Sequence, residues 1–134
     1  MLNFTNKPGH FIEIRADHFD SNLVEAGPPP LKLDDGNYLF FYNSARDGYP
    51  SPKEGYSLQY NVGWLILDGK DPSKILQRAE VPLLTPELSW EVAATADLGL
   101  TPRVVFLEAA KPLGKNRYLV FYGGADTVIG SAIV

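Results

Sequence analysis

Residues 37–46 read NYLFFYNSAR and residues 117–126 read RYLVFYGGAD, so one ten-residue pattern occurs twice, 80 positions apart. Each copy is rich in aromatic and β-branched residues and runs into small or turn-forming residues, which is typical of a β-strand followed by a turn. A pattern that recurs at a fixed spacing is the sequence signature of a repeat architecture. The sequence therefore predicts two copies of one strand-rich unit.

The residues on either side of the two copies extend the repeat. A proline and a short apolar strand precede each copy, at residues 30–33 and 102–107, and a glycine-containing apolar strand follows each, at residues 62–66 and 129–133. The first unit adds a fourth strand near residues 74–78. Units of three or four antiparallel strands are typical of successive blades of a β-propeller. The alternative fold is a single β-sandwich in which the repeated ten-residue pattern is a coincidence.

Three further segments complete the secondary-structure prediction. The turn sequence Asp-Asp-Gly-Asn at residues 34–37 predicts a hairpin. Residues 11–14, with the sequence FIEI, predict a strand. Only residues 87–100 have a vaguely helical composition, which Gly99 and the β-branched Val92 weaken. We therefore expect an all-β chain with about seven strands.

Composition excludes several classes of function. The chain carries 12 Lys+Arg against 16 Asp+Glu, a net charge of −4, so a nucleic-acid-binding surface is not expected. It has no cysteine, which excludes disulfides, thiolate zinc sites and a cysteine nucleophile. No apolar run approaches the roughly 20 residues of a membrane span, and no membrane partner is expected. No signal peptide is recognisable at the start, so the sequence does not determine the cellular location, with the cytoplasm favoured.

Local motifs offer few candidate functional residues. Glu25 opens the sequence EAGPPP, whose prolines stiffen the backbone, and in an innermost blade strand this segment would hold Glu25 near the propeller axis. A rigid surface turn with a solvated glutamate is the alternative interpretation. Arg46 and Asp126 end the two repeat copies at equivalent places, where small neighbours allow close approach of a ligand. His10 and His18 have no partner at metal-ligand spacing, so neither a metal nor another cofactor is predicted.

Several longer motifs, in one order, resemble the C-terminal part of glycoside hydrolase family 130. They are the segments EAGPPPLK, YNVGWLILD, DPSKILQR, EVPLLTPE and YGGADTVIG at residues 25–32, 60–68, 71–78, 80–87 and 122–130. The resemblance implies a five-bladed β-propeller that acts on β-mannosides, in some members as a phosphorylase and in others as a hydrolase. The expected ligand is an oligosaccharide containing β-mannosyl units, together with phosphate if the chain is of the phosphorylase type.

The resemblance also implies how much of the fold this chain supplies. We expect one partial propeller domain, with a complete blade at about residues 28–88, an incomplete blade at about residues 101–134, and the end of a preceding blade at residues 1–27. The general acid of the family lies in an N-terminal part that has no counterpart here. The chain is therefore expected to be a fragment or to assemble with another chain, to self-associate through exposed strands, and to be inactive alone.

Residue by residue, the resemblance assigns four site positions. Asp126 matches the aspartate that holds hydroxyls of the mannosyl unit, and Tyr60 matches a site tyrosine. Asn43 is expected to bind substrate and stands where phosphorylases usually carry a histidine, while Leu23 stands close to a phosphate-contacting lysine. Because a phosphate dianion needs charged donors, these two departures favour the hydrolase branch. Glu25 is then the expected catalytic carboxylate.

The sequence thus predicts an inverting β-mannosidase-like glycosidase. In an inverting hydrolase one carboxylic acid protonates the glycosidic oxygen and a carboxylate, here Glu25, activates water. A β-mannoside phosphorylase is the first alternative. A non-catalytic carbohydrate-binding half-propeller is the second.

Overall fold

The computed structural model describes residues 8–51, 53–93, 95 and 99–134, which fold into strands with one short helix. The strands form two separate antiparallel sheets, one from β1 to β5 and one from β6 to β8. The elements are β1 (Leu23–Ala26), β2 (Leu31–Lys32), β3 (Tyr38–Arg46), β4 (Gln59–Leu67), β5 (Ile75–Arg78), α1 (Ser89–Val92), β6 (Val105–Gly114), β7 (Arg117–Gly124) and β8 (Val128–Ile133).

The first sheet is built around β3. Strand β4 pairs with β3 along its whole length, β5 adds the outer edge, and β1 and β2 share the inner edge of β3. Between β1 and β2, residues 27–30 lie opposite only residues 40 and 41, so the inner strand bulges there. A Cβ atom on Gly27 would stand 2.6 Å from the carbonyl oxygen of Phe41, so this close approach requires glycine. The proline-rich segment thus interrupts the inner strand directly after Glu25 and Ala26.

The two sheets pack on each other through one hydrophobic core. Successive residues of a strand point to opposite faces, so Phe41 faces the second sheet while Tyr42 faces away from it. The core between the sheets is formed by Leu39, Phe41, Val62, Val105, Leu107, Val120 and Tyr122. The arrangement confirms the all-β prediction of two successive blades, the second with three strands in the described residues.

On the far face of the first sheet, Tyr42 is held by a buried carboxylate. Its hydroxyl donates to Asp20 over 2.8 Å, and Arg15 and Arg78 donate to the same carboxylate over 3.1 and 2.5 Å. Burial alone would raise the pKa of Asp20, but the hydrogen bonds from Arg15 and Tyr42 and the charge of Arg78 outweigh it and lower that pKa. The tyrosine ring lies over Gly63, where a Cβ atom would stand 2.3 Å from it. This network attaches the segment before β1 to the sheet.

The second sheet contains the same arrangement of a tyrosine, a glycine and a buried carboxylate, but the carboxylate has different partners. Tyr122, which is 80 residues after Tyr42, donates over 2.6 Å to the buried Glu91. The other oxygen of Glu91 accepts two backbone N–H groups just before α1, over 2.8 and 2.9 Å. Gly130 lies under the ring, and a Cβ atom there would stand 2.7 Å from it. Each blade therefore contains one tyrosine over a glycine, bonded to one buried carboxylate.

Three details differ from the sequence prediction. Residues 11–14 are not a strand, because they have no backbone pairing; Phe11 lies edge-on against Phe40, and Ile12 packs against the core on that side of the sheet. Among the described residues of the segment 87–100, helix is limited to α1, which is followed by Ala93 in a left-handed conformation. The first sheet begins at Leu23 rather than residue 28, because β1 pairs with β3, while residues 1–7 lie outside the described residues. Among the described residues no helix is long and apolar enough to cross a membrane.

Candidate active site

Glu25, Asn43 and Tyr60 lie on the same face of the first sheet. Glu25 is paired with Asn43 across β1 and β3, and Asn43 is paired with Val62 across β3 and β4. Directly paired residues share a face and side chains alternate along a strand, so Tyr60, two residues from Val62, belongs to that face as well. This face is the one that packs against the second sheet. The candidate residues of the first blade are therefore directed towards the junction of the two blades.

Tyr60 lies within electrostatic range of one carboxylate from each blade. Its pKa is raised, first by burial and then by the negative charges of Glu25 and Asp126, so both carboxylates lie within electrostatic range of one phenol. The backbone N–H of Tyr60 donates over 2.9 Å to the carbonyl of Arg103, just before β6. Its ring lies 6.3 Å from that of Phe106, which belongs to β6. Contacts with the second blade thus fix the position of Tyr60.

Glu25 and Asp126 are carboxylates without a structural task in the described part of the chain. Both side chains are exposed there, and neither accepts a hydrogen bond nor forms an ion pair. Asp20 and Glu91, in contrast, are buried and fully hydrogen bonded. Carboxylates that are exposed, unpaired and within electrostatic range of one tyrosine are available to accept hydrogen bonds from a polyhydroxylated ligand.

Asp126 stands in a tight turn with strained backbone. The N–H of Thr127 donates to the carbonyl of Gly124 over 3.0 Å, and the two residues between them, Ala125 and Asp126, have φ values of 47° and 54°. These are the angles of a type I′ turn, which usually contains asparagine and glycine. The carbonyl of Ala125 accepts bonds from residues 100 and 101, which hold the turn in place. Non-glycine residues kept in this conformation by their surroundings are concentrated at functional sites.

Asn43, which the resemblance predicts to bind substrate, uses its side chain for hydrogen bonds within the protein. Its side chain is fully buried, its Oδ1 accepts the N–H of Leu107 over 2.7 Å, and its Nδ2 donates to the carbonyls of Leu107 and Ala26 over 3.2 and 3.4 Å. One amide group therefore joins β6 of the second blade to the residue after Glu25. Because its polar atoms are used in this way, the geometry favours a positioning role for Asn43 over a direct contact with sugar.

The remaining sequence candidates lie elsewhere or carry no charge. Leu23 is half-buried and apolar, and Arg46 is exposed at the end of β3. His10 and His18 contact Glu13 and Glu80 at the surface, each over 3.3 Å. Sequence reasoning missed Phe106, since its contact with Tyr60 joins residues 46 positions apart in the chain.

Comparison with known proteins identifies the family. The family model described as beta-1,4-mannooligosaccharide phosphorylase, of glycoside hydrolase family 130, matches residues 1–134. A 1,2-beta-oligomannan phosphorylase of Thermoanaerobacter sp. (strain X514) is 39% identical over 116 residues, which are 87% of this chain and 34% of that protein. The chain thus spans about one third of the length of the curated relatives that it matches.

Solved structures agree with this relationship. The beta-1,2-mannobiose phosphorylase from Listeria innocua, in complex with beta-1,2-mannobiose, superposes with a TM-score of 0.72 at 28% identity, over 90% of this chain and 30% of that one. A second structure comes from work on glycoside hydrolases of this family that target beta-1,2 mannosidic linkages in Candida mannan. It has a TM-score of 0.72 at 28% identity, over 92% of this chain and 33% of that one. Because the family model matches this chain from residue 1 to residue 134, this partial five-bladed β-propeller belongs to glycoside hydrolase family 130.

Proposed function

We propose that these two blades form part of the active site of an inverting glycoside hydrolase that acts on β-mannosides. The observation that carries the proposal is that Glu25 and Asp126, two exposed and unpaired carboxylates from different blades, both lie within electrostatic range of Tyr60, whose backbone is hydrogen bonded to the segment just before β6. Glu25 is the general base, while Asp126 and Tyr60 bind hydroxyl groups of the sugar. The general acid belongs to a blade that these residues do not include.

The proposed reaction is a direct displacement. Glu25 takes a proton from a water molecule, whose oxygen forms a bond to the anomeric carbon as the glycosidic carbon–oxygen bond breaks. The acid on the opposite side of that bond protonates the departing oxygen, so that no net charge develops. A base about 6.5–9.5 Å from the acid leaves room for the water, and general base catalysis contributes about 10²–10⁴-fold to the rate.

Electrostatics favour water over phosphate as the nucleophile. A phosphate dianion is bound by charge-assisted hydrogen bonds from arginine, lysine or protonated histidine. Here the two uncommitted side chains beside Tyr60 are both anionic. Leu23 and the buried, fully bonded Asn43 stand where the family resemblance implies basic groups in phosphorylases. A dianion would meet repulsion at this site, whereas a neutral water molecule would meet a base.

In this proposal Asn43 holds the backbone next to Glu25 in position and does not contact the sugar. Its bonds to both backbone groups of Leu107 and to the carbonyl of Ala26 set the distance between Glu25 and the second blade. An error of about 1 Å in the position of a catalytic group costs about 10²-fold in rate. Asn43 is thus a positioning residue, which acts on catalysis through Glu25.

A β-mannoside phosphorylase is the second candidate, and the names of the relatives favour it. The Thermoanaerobacter and Listeria innocua proteins are both named as phosphorylases. In that case phosphate, held by groups from other blades, would replace water. A carbohydrate-binding half-propeller without catalysis is the third candidate.

Product analysis separates the candidates. The two blades are joined to the remaining blades of the 39% identical oligomannan phosphorylase to give a complete propeller, which is incubated with beta-1,2-mannobiose with and without phosphate. We expect free mannose at the same rate in both buffers. Mannose 1-phosphate formed only in the presence of phosphate would establish the phosphorylase. A folded propeller that binds the disaccharide without converting it would leave the binding role.

A further inference from the structure

One cavity among the described residues lies away from Glu25 and Asp126. It has a volume of about 390 Å³ and is bounded by the turn between β2 and β3 on one side and the turn between β6 and β7 on the other. Along β3, Lys32 is paired with Tyr38 and Glu25 is paired with Asn43, five residues away, or roughly 17 Å at about 3.3 Å per residue. The cavity is therefore separate from the candidate active site, and its size lies within the range of small-molecule sites.

The walls of the cavity carry cations that have no partner in the described residues. Lys32 lies on one wall, and Lys115 and Arg117 lie on the other. None of the three forms an ion pair or a side-chain hydrogen bond within the parts of the chain that the structure describes. Three cations in one cleft are unusual for a chain of net charge −4, and an arginine with two lysines is suited to a phosphate group.

The cavity also presents groups that suit a sugar ring. Tyr118 lines it, and its ring is held edge-on against Phe41, with centroids 6.0 Å apart. Asp34 lines it as well and makes no hydrogen bond within the described residues, whereas Asp35 is occupied by bonds to Asn37. An aromatic face and a free carboxylate beside a cationic group are the contacts that a hydroxylated ring bearing a phosphate would use.

We propose that this cavity is a second ligand site, which binds a phosphorylated sugar between the two blades. Lys32, Lys115 and Arg117 bind the phosphate, and Tyr118 and Asp34 contact the sugar. Because the ligand would touch both turns, it would join the two blades at the end remote from the candidate active site. The proposal depends on neither the hydrolase nor the phosphorylase assignment.

Calorimetric titration of the full chain tests the site, with mannose 1-phosphate, inorganic phosphate and mannose as separate ligands. We expect mannose 1-phosphate to bind most tightly, phosphate more weakly and mannose more weakly still. Arg117→Ala removes charge-assisted bonds and should weaken mannose 1-phosphate at least about tenfold. Lys70→Ala, which removes the same charge from the turn after β4, is the matched control and should leave affinity unchanged.

Two further variants separate this site from the candidate active site. Glu25→Gln and Asp126→Ala should leave the affinity for mannose 1-phosphate unchanged, while Arg117→Ala weakens it. The reverse pattern would overturn the proposal, because the ligand would then occupy the candidate active site. Absence of binding by the folded chain at about 10 mM mannose 1-phosphate would overturn it as well.

Discussion

Tyr42 and Tyr122 occupy the same position in the two blades, yet their buried carboxylates are neutralised in different ways. In the first blade Asp20 meets two arginines and the tyrosine, and these groups come from the segment before β1, from β3 and from β5. In the second blade Glu91 meets the tyrosine and two backbone N–H groups of its own segment. The repeat preserves the tyrosine, the glycine beneath it and one carboxylate, but not the partners of that carboxylate.

The inner ends of the blades differ in a second way. Glu25 is paired with Asn43 in the first sheet, and the residue at the matching place in the second sheet is Phe106, paired with Gly123. Asp126 ends the second copy of the repeat where Arg46 ends the first. Both blades therefore contain the arrangement of tyrosine, glycine and buried carboxylate, whereas each blade supplies different chemical groups to the candidate active site.

The largest expected effect tests this division of chemical groups. In the complete propeller, Glu25→Gln should lower the turnover of beta-1,2-mannobiose by about 10²–10⁴-fold and leave its binding largely intact, since only the base is lost. Asp126→Ala should weaken binding as well as turnover, since it removes hydrogen bonds to the sugar. Steady-state kinetics with calorimetric titration measures both. Glu108→Gln, an exposed change on β6, is the control. Near-normal turnover of Glu25→Gln would show that the catalytic assignment is wrong.

A smaller effect distinguishes the two buried carboxylates. Asp20→Asn removes the buried carboxylate that two half-buried arginines share and should cost about 3–5 kcal/mol of unfolding free energy. Glu91→Gln keeps an oxygen for the two N–H groups and should cost about 1–2 kcal/mol. Urea unfolding of the chain followed by circular dichroism gives both values. Equal costs would mean that the different partners of the two carboxylates have no energetic consequence.

The glycines beneath the tyrosines give the next effect in size. Gly63→Ala places a methyl group 2.3 Å from the ring of Tyr42, which its hydroxyl bond prevents from moving, and should cost about 1–3 kcal/mol. The control is Gly123→Ala, where the nearest atom, the carbonyl oxygen of Phe106, is 3.9 Å from the new Cβ. We expect less than about 1 kcal/mol there. Similar destabilisation by both variants would contradict the proposed packing of tyrosine on glycine.

The smallest expected effect is a difference in acid sensitivity. The pKa of Asp20 is lowered in the folded chain, so its contribution to stability is complete above the unfolded value of about 3.9 and is lost as the pH falls through the folded value. Unfolding free energies measured between pH 7 and pH 3 should therefore fall in the acid range. The decrease should be less steep for Asp20→Asn, and an identical decrease would exclude Asp20 as its source.

Much of the fold could be predicted from the sequence, because the strands and their turns are encoded locally. The ten-residue pattern that recurs 80 positions later predicts equivalent strands for Tyr42 and Tyr122. The Asp-Asp-Gly-Asn turn forms the predicted hairpin between β2 and β3. Residues 11–14 have a strand-like composition but lack a backbone partner, which composition cannot reveal. Residues 23–26 were assigned to the preceding blade because the proline-rich bulge hides their continuity with β2.

The candidate site was only partly predictable, because its geometry depends on contacts between the blades. The sequence singled out Glu25, Tyr60 and Asp126, which share one electrostatic environment. It did not reveal that Asn43 is bonded to Leu107, 64 residues away, since nothing local distinguishes a buried amide from a ligand-binding one. The left-handed Ala125 and Asp126 were also unexpected, because the turn lacks the usual asparagine and glycine.

The configuration of the first product tests the central claim most directly. Beta-1,2-mannobiose is added to the complete propeller in phosphate buffer, and the anomeric proton signals are followed by NMR from the earliest time point. Hydrolysis frees two mannose molecules, and the one from the reducing end keeps the anomeric mixture that it already had. Inverting hydrolysis with Glu25 as the base predicts that the other is released as the α anomer, so that α-mannose is at first in excess over the equilibrium mixture and then relaxes to it. Mannose 1-phosphate as the first product, or an initial excess of β-mannose over the equilibrium mixture, would contradict the account.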